Sequence, residues 1–152
     1  MRLVVQRVKE ASVSIHQKII SQINQGLLVF LGIHTEDTNE PIDYLIDKLL
    51  HLRIFEDKEN KMNESIKDVN GQILLVSQFT LYADCSKGRR PSFINAKKPD
   101  LAKEIYKEFF KRLKNSFENT FEGEFGADMQ IHLINDGPVT VILEKPNLLM
   151  GC

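Results

Sequence analysis

Short apolar runs separated by turn residues predict strands in the first third of the chain. Residues 3–8 and 11–15 are predicted as two strands, with a tight connection at residues 9–10. Residues 18–23 continue as a strand, and a nearly all-apolar run at residues 27–33 follows after a turn. Because that last run has no polar alternation, we expect a central strand covered on both faces. The opening of the chain therefore predicts a mainly antiparallel meander.

Apolar residues at helical spacing predict two helices in the rest of the chain. Each helix has a proline near its start, Pro41 or Pro99, and Asp100 adds an acidic side chain to the first turn of the second helix. The packing stripe predicted for the first helix is Ile42, Leu45, Ile46, Leu49 and Leu52. The stripe predicted for the second helix is Leu101, Ile105, Phe109, Leu113 and Phe117. Lysines between these positions are interpreted as a solvated face.

A second buried strand is predicted at residues 73–76, and it runs into polar side chains. Ser77, Gln78 and Thr80 follow the apolar run, with Phe79 among them. Hydroxyl and amide groups at the end of a buried strand must find hydrogen-bond partners or bind something. Bonds to neighbouring strands would satisfy any single hydroxyl. The cluster as a whole, which a basic loop follows, indicates a binding site.

The last part of the chain predicts two strands joined by a tight turn. The strands cover residues 128–134 and 139–143, and the turn is the Asn-Asp-Gly-Pro segment at residues 135–138. Its Gly137-Pro138 bond is a candidate for the cis form, which costs only about 0.5–1 kcal/mol before proline. Strands and helices together predict one α+β domain over residues 1–152.

Composition and charge exclude several classes of partner and site. A formal net charge of -1, with 42% apolar and 27% charged residues, is ordinary for a globular protein and produces no overall positive field. A nucleic-acid contact would need a local patch, and residues 86–99 contain five cations and no acidic residue. These cations are Lys87, Arg89, Arg90, Lys97 and Lys98. They would fit either a nucleic-acid contact or a merely solvated loop.

Metal, disulfide, leader and membrane signals are weak in this sequence. Cys85 and Cys152 do not form a disulfide framework, and the four histidines are scattered. The first ten residues are charged too early for a signal peptide, and no apolar run approaches the roughly 20 residues of a membrane span. We therefore expect a cytoplasmic protein with no metal, no cofactor and no membrane contact.

The nucleophiles of the sequence have no recognisable activating partner. Thr80 and Cys85 are the candidate hydroxyl and thiol, but neither has a base at a recognisable spacing. Phosphate-binding loops and the common hydrolase and metalloprotease motifs are absent from the sequence. A catalyst built from this inventory would have to work by positioning its substrate and by backbone N–H donors.

Three motifs, in order along the chain, resemble one known family. They are SQFTLYAD at residues 77–84, GRRPSF at residues 88–93 and FGADMQIHLINDGPVT at residues 125–140. In these motifs the chain resembles the D-aminoacyl-tRNA deacylase (D-Tyr-tRNA deacylase) family over essentially its whole length. One departure is Asn60, where the family commonly has glycine.

The resemblance implies a fold and an activity. It implies a homodimeric α+β fold with a barrel-like, largely antiparallel sheet and two main helices. The implied reaction is hydrolysis of the ester that joins a D-amino acid, or mischarged glycine, to the 3′-terminal adenosine of tRNA. The 3′ end of aminoacyl-tRNA is the implied partner, and neither DNA nor a cofactor is expected.

The resemblance also implies roles for individual residues. Ser77, Gln78, Phe79 and Thr80 would line the pocket, with backbone N–H groups near Phe79 and Thr80 facing the carbonyl. Gly137 and Pro138 would form a cis dipeptide that enters the pocket from the partner subunit and excludes L side chains, and Arg7 would orient it. Phe125 and Met129 would lie near the terminal adenine. Lys87, Arg89 and Arg90 are the candidates for contact with tRNA.

Other functions stay open from the residues alone. A non-catalytic RNA-binding module would use residues 87–90 and bind tRNA without cleaving the ester. A generic esterase would use Thr80 or Cys85 and ignore chirality. A purely structural dimer would leave the polar end of the strand at residues 73–76 unexplained.

Overall fold

The computed structural model describes residues 1–145. The first half of the chain forms β1 (Arg2–Ile15), β2 (Lys18–Ile23), β3 (Gly26–Gly32), α1 (Ile42–Leu50), β4 (Phe55–Glu56) and β5 (Met62–Glu64). The second half forms β6 (Gln72–Ser77), a 3₁₀ helix (Phe79–Tyr82), α2 (Pro99–Ser116), β7 (Thr120–Glu122) and β8 (Gln130–Glu144).

Strand β1 is the centre of a six-stranded sheet. One edge of β1 pairs antiparallel with β8, and the other edge pairs antiparallel with β3 and then with β2. Strand β6 joins β3 in parallel, and β7 joins β6 in parallel. Because β2 also approaches β6 and β7, the sheet curls toward a nearly closed barrel. The predicted α+β fold with two main helices and a barrel-like sheet is confirmed, with two parallel pairs in the sheet.

The predicted connection at residues 9–10 is wrong, because β1 continues through it. Val8 pairs with Asn135 and Glu10 pairs with Ile134, so Lys9 is an extra residue on β1. Such a bulge lets two successive side chains face solvent inside one strand. The charged pair that indicated a turn is therefore an interruption of the register.

The predicted turn at residues 135–138 is likewise wrong, because these residues lie within β8. Gln6 pairs with Thr140 and Val8 with Asn135, so Arg7 alone stands opposite residues 136–139. The backbone of β8 therefore loops out opposite one arginine. This wide irregularity is the setting of the Gly137-Pro138 bond, which is cis as the sequence suggested.

Both helices form where they are predicted, with shifts at their edges. In α1 the buried side chains are Ile42, Leu45, Ile46, Leu49 and Leu50, while Leu52 lies beyond the end of the helix. In α2 the buried side chains are Ala102, Tyr106, Phe109 and Leu113, and the expected Leu101 is exposed. The stripe turns by one position because Ala102 and Tyr106 face the sheet, where the Tyr106 hydroxyl donates to the carbonyl of Leu75 at 3.2 Å.

Strand β6 is covered on both faces, as its apolar run predicts. Ile73 and Leu75 belong to the larger core, which also contains the buried side chains of α1 and α2. Leu74 and Val76 point to a smaller core on the other face, against which Met129 packs. The end of β6 is therefore held from both sides, and Ser77 emerges at a defined place.

Three expectations concern cysteines, membrane spans and metal ligands. Cys85 is a free, exposed cysteine, and Cys152 lies outside the described residues. Among residues 1–145, no helix has the length and apolar character needed to cross a bilayer. Within the same part of the chain, no three His, Cys, Asp or Glu side chains group as metal ligands.

Candidate active site

A cavity of about 710 Å³ opens where the parallel strands β3 and β6 end. Crevices outside the carboxyl ends of parallel strands are common ligand sites, because side chains and backbone groups converge there. The floor is formed by the strand ends and their continuations, Leu31, Ile33, Val76 and Ser77. Residues 125–129 form one wall, and Phe93 together with residues 96–99 forms another.

Ser77, Gln78 and Phe79 reach this cavity through a change of backbone direction. The backbone N–H of Gln78 donates to the carbonyl of Leu31 at 2.8 Å, which is the last tie of this segment to β3. The chain then turns into the 3₁₀ helix, whose first N–H groups, those of Phe79 and Thr80, have no acceptor within the helix. The backbone N–H groups of Phe79 and Thr80 are therefore two adjacent donors at the edge of the cavity.

Thr80 is placed differently from its three neighbours. Its side chain is exposed, and it does not contribute to the cavity wall. Gln78 Nε2 donates to Thr80 Oγ1 at 2.5 Å, and no carboxylate or histidine within residues 1–145 hydrogen-bonds to that hydroxyl. A hydroxyl with no base beside it is a weak nucleophile. The generic esterase that would use Thr80 has no support in this geometry.

Phe125 and Met129 line the same cavity as Ser77, Gln78 and Phe79. The Phe125 ring packs against Tyr106, with ring centroids 5.4 Å apart. Burial raises the pKa of the Tyr106 phenol far above its usual range, so Tyr106 stays neutral and holds Phe125 from behind. Residues more than forty positions apart in sequence thus share one cavity, as the motifs suggested.

Arg7 and the Gly137-Pro138 dipeptide form a second feature, outside the cavity lining of the same chain. Arg7 is only 4% exposed; its Nε donates to the carbonyl of Asp136 at 2.8 Å, and its Nη1 donates to the carbonyl of Ile54 at 2.7 Å. Gly137 and Pro138 themselves are exposed. We call this group, Arg7 with residues 135–138, the arginine corner.

The backbone of the arginine corner is held on both sides of the dipeptide. Asn135 Oδ1 accepts the N–H of Val139 at 2.7 Å, and Asn135 Nδ2 donates to the Val139 carbonyl at 3.1 Å. Gly137 has φ +145°, a conformation that L side chains rarely adopt. A Cβ at Gly137 would also lie 2.6 Å from Cγ2 of Val139 and 3.3 Å from Nη2 of Arg7. Only glycine fits at this position.

Lys87, Arg89 and Arg90 lie on an exposed loop beside the cavity mouth rather than in its wall. The loop is closed by two backbone bonds between Asp84 and Ser92, of 2.8 and 2.9 Å. Hydrogen bonds from Ser86 lower the pKa of the Asp84 carboxyl below its usual range, and this carboxylate accepts the backbone N–H of Ser86 at 2.9 Å at the start of the loop. The structure brings the three cations near the cavity without placing them in it.

The family follows from a match over nearly the whole chain. The model of the D-Tyr-tRNA(Tyr) deacylase family matches residues 4–144. The chain belongs to this family. A D-aminoacyl-tRNA deacylase from Fusobacterium nucleatum subsp. nucleatum is 56% identical over 144 residues, which are 95% of this chain and 95% of the relative.

Solved structures similar to this family member support the same fold. One, described as "c-Myc DNA Unwinding Element Binding Protein", superposes with a TM-score of 0.92 at 43% identity, over 97% of this chain and 100% of that chain. Another, described as a "probable eukaryotic D-amino acid tRNA deacylase", has a TM-score of 0.82 at 18% identity, over 93% of this chain and 97% of that chain. The second likeness concerns the fold alone.

Sequence reasoning missed part of the wall of this deacylase-family cavity. Phe93 and Ala96 line it although neither was a predicted site residue, and Lys97 and Lys98, considered only for a nucleic-acid contact, line it as well. Lys97 Nζ donates to the carbonyl of Thr35 at 2.7 Å, which ties this wall to the loop after β3. The available signal was Phe93, an aromatic residue inside an otherwise polar and basic stretch.

Proposed function

We propose that this chain hydrolyses the ester of D-aminoacyl-tRNA and releases free D-amino acid and tRNA. One observation carries the proposal: in a member of the deacylase family, the two motif segments at residues 77–79 and 125–129 line one cavity. Such an enzyme removes D-amino acids from the pool of translation substrates, and its substrate is cytoplasmic. The whole of residues 1–152 would act as a single domain.

The cavity suits a hydrolysis that has no protein nucleophile. Water adds to the ester carbonyl, the carbonyl oxygen becomes an oxyanion, and the ester C–O bond then breaks to release the ribose hydroxyl. The N–H groups of Phe79 and Thr80 are free to donate to that oxyanion, and preorganised backbone donors are effective because they need no reorientation. Ser77 and Gln78 would line the bound aminoacyl group. The tRNA 2′-OH is the group proposed to position the water.

The proposed chiral filter is the Gly137-Pro138 dipeptide of a second subunit. In its own chain the dipeptide is exposed and does not line the cavity, so a homodimer would be needed to bring it there. Arg7 and Asn135 hold its backbone, and a rigid backbone can exclude an L side chain by steric conflict without gripping the D side chain. Glycine would be accepted, because a hydrogen atom makes no such conflict.

The terminal adenosine is proposed to lie against Phe125 and Met129. An adenine ring stacks favourably on an aromatic face and on a polarisable thioether. Lys87, Arg89 and Arg90 at the mouth of the cavity would contact the phosphates of the tRNA 3′ end, because all three side chains are exposed and no acidic residue lies between them.

The deciding experiment compares matched D- and L-aminoacyl-tRNA in a single-turnover hydrolysis assay. We expect rapid release of the amino acid from the D form, slow release from the L form, and intermediate or rapid release from glycyl-tRNA. The proposal is wrong if the protein binds tRNA but releases D- and L-amino acids no faster than buffer does.

A second candidate is nucleic-acid binding without hydrolysis. The exposed cations Lys87, Arg89, Arg90 and Lys98 favour it, as does the name of the 43% identical structure, which refers to binding of a DNA element. The same assay separates the two functions. Salt-sensitive binding of tRNA or single-stranded DNA, with no ester cleavage, would replace the first candidate by the second.

A further inference from the structure

The mouth of the cavity carries two exposed phenylalanines that contact each other. Phe79 is 58% exposed and Phe93 is 40% exposed, and their ring centroids lie 5.0 Å apart at an interplanar angle of 64°. Both rings line the cavity. Next to them Ile94 is 79% exposed. A contiguous apolar patch at the rim of a cavity marks a surface that binds something.

The chemistry around the patch indicates what it binds. Residues 86–99 contain five cations and no acidic residue, and Phe93 stands in the middle of this stretch. A partner must therefore combine negative charge with flat apolar faces. Single-stranded nucleic acid has both, since its bases stack on aromatic rings while its phosphates contact lysine and arginine. A second copy of this chain, which the proposed function brings to the same cavity through its Gly137-Pro138 dipeptide, has a net charge of -1 and supplies no comparable density of negative charge for the basic stretch.

The patch is rigidly placed by backbone bonds on both sides of Phe93. On one side, Asp84 and Ser92 exchange two backbone hydrogen bonds. On the other side, Thr35 N–H donates to the carbonyl of Asn95 at 2.9 Å, and Lys97 N–H donates to the carbonyl of Ile33 at 3.0 Å. Both phenylalanines are thus pinned beside the ends of β3 and β6, and a ligand base would meet a surface formed in advance.

We propose that Phe79 and Phe93 form a stacking platform for the base that precedes the terminal adenosine at the single-stranded 3′ end of the RNA. The inference rests on the proposed function for its choice of RNA. The terminal adenosine would lie deeper, against Phe125 and Met129, and the strand would leave the cavity over the two phenylalanines. Lys98 and the basic loop at residues 87–90 then lie where the outgoing phosphates pass.

The first test compares a full substrate with one that ends before the platform. D-aminoacyl-tRNA contains the preceding base, whereas D-aminoacyl-adenosine does not. For Phe93→Leu we expect the ratio of kcat/KM on tRNA to kcat/KM on the adenosine ester to fall about tenfold, mainly through KM, since one stacked base carries roughly that much affinity. Phe121→Leu is the matched control, because Phe121 is another exposed phenylalanine beside a lysine, Lys114, and does not line the cavity.

Equal losses on both substrates would overturn the proposal, because Phe93 would then only shape the cavity. An unchanged ratio would overturn it as well. Sedimentation of Phe93→Leu completes this test: conversion of a wild-type dimer to monomer would assign the patch to a second copy of the chain. We expect the same sedimentation coefficient for variant and wild type.

The second test needs no hydrolysis, so it can succeed or fail independently of the proposed function. A short RNA ending in CCA carries the fluorescent base 2-aminopurine in place of the base before the terminal adenosine. We expect binding to quench this fluorescence, and Phe93→Leu to relieve the quenching while Phe121→Leu does not. Bound RNA with unquenched 2-aminopurine would overturn the platform. Quenching without any ester hydrolysis would retain the platform and reject the deacylase.

Discussion

Ser77, Gln78 and Phe79 reach the cavity at the end of a buried strand and are held there chiefly by backbone bonds, such as that from Gln78 N–H to the carbonyl of Leu31. Gly137 is held in the opposite way, by the buried side chain of Arg7, which lies 129 residues from the Asp136 carbonyl that it contacts. The first region is a product of strand pairing. The second depends on side chains, chiefly the distant Arg7 with support from Asn135.

This difference predicts how each region responds to amino-acid substitutions. Backbone bonds persist when a side chain is replaced, so single substitutions in the cavity wall should alter binding more than structure. The arginine corner is more sensitive to substitution, because removal of the Arg7 guanidinium leaves the backbone carbonyls of Asp136 and Ile54 without this donor. Substitutions there should alter structure and activity together, and the following predictions sharpen or break that contrast.

The largest effect is expected for Gly137→Ala. The alanine would need an unfavourable φ, and its Cβ would lie 2.6 Å from Val139 Cγ2, so the dipeptide must move. A displacement of about 1 Å in a positioning group costs on the order of 100-fold in rate. We expect a loss of that size in kcat/KM on D-aminoacyl-tRNA, with weaker discrimination against the L form. Full activity with full selectivity would exclude the corner from the reaction.

Gly88→Ala is the matched control for the backbone cost of Gly137→Ala. Gly88 also has a positive φ, +79°, but a Cβ there would meet nothing within 4 Å. Thermal unfolding should show a smaller loss for Gly88→Ala than for Gly137→Ala. Equal losses would mean that φ alone, and not the contacts with Val139 and Arg7, makes Gly137 necessary.

Arg7→Met should give the next largest effect, mainly on stability. The variant leaves the carbonyl of Ile54 buried without a donor, and an unsatisfied buried group of this kind costs about 1–3 kcal/mol. Urea unfolding measures the loss, and kcat/KM should fall with it because Asp136 is no longer held. Arg53→Met is the control: Arg53 makes two hydrogen bonds with Asn63 but is exposed, so it should lose much less. Similar losses in both variants would contradict the special role of burial at Arg7.

A smaller effect is expected when both Arg89 and Arg90 are replaced by glutamine. Each phosphate contact contributes a slope of about 0.7 to the dependence of log affinity on log salt for a single strand. If both arginines contact phosphate, the slope for tRNA binding should fall by about 1.4. The control replaces two exposed lysines of α2, Lys103 and Lys107, and should leave the slope unchanged. Equal salt-dependence slopes for wild type and all variants would mean that the basic loop is a solvated surface that does not contact phosphate.

The smallest effect is a pH dependence in the turn between β4 and β5, where Asp57 lies. Hydrogen bonds from Asn63, Lys61 and Glu59 to Asp57 lower the pKa of its carboxyl below the usual 3.8. A lowered pKa means that the stabilisation is present above the usual range and is lost as the pH falls through the folded-state value. Asp57→Asn should therefore destabilise the protein at pH 7, and the difference from wild type should shrink below about pH 4 in urea unfolding. A difference that stays constant with pH would contradict this assignment.

Much of the fold could be predicted because its signals are local. The apolar run of β6, the start of α2 at Pro99 and the helical stripe of α1 depend on neighbouring residues only; the first two were confirmed, and the stripe was confirmed except at Leu52. The continuity of β1 could not be predicted, because the bulge at Lys9 arises from pairing with a strand more than 120 residues away. The short strand β7 was missed for the same reason, since its three residues form a strand only beside β6.

The same distinction between local and long-range determinants applies to the candidate site. The amino-acid sequence by itself determined which chemical groups are available. These are backbone donors after a buried strand, a hydroxyl with no base, a cluster of cations and a Gly-Pro pair. The tertiary structure alone decided which of these meet. It put residues 77–79 into one cavity with Phe125 and Met129, brought Phe93 into contact with Phe79, and left Gly137 outside the cavity of its own chain. The reason is physical, since local patterns specify strands and helices while the register between distant strands determines which of their ends share a cavity.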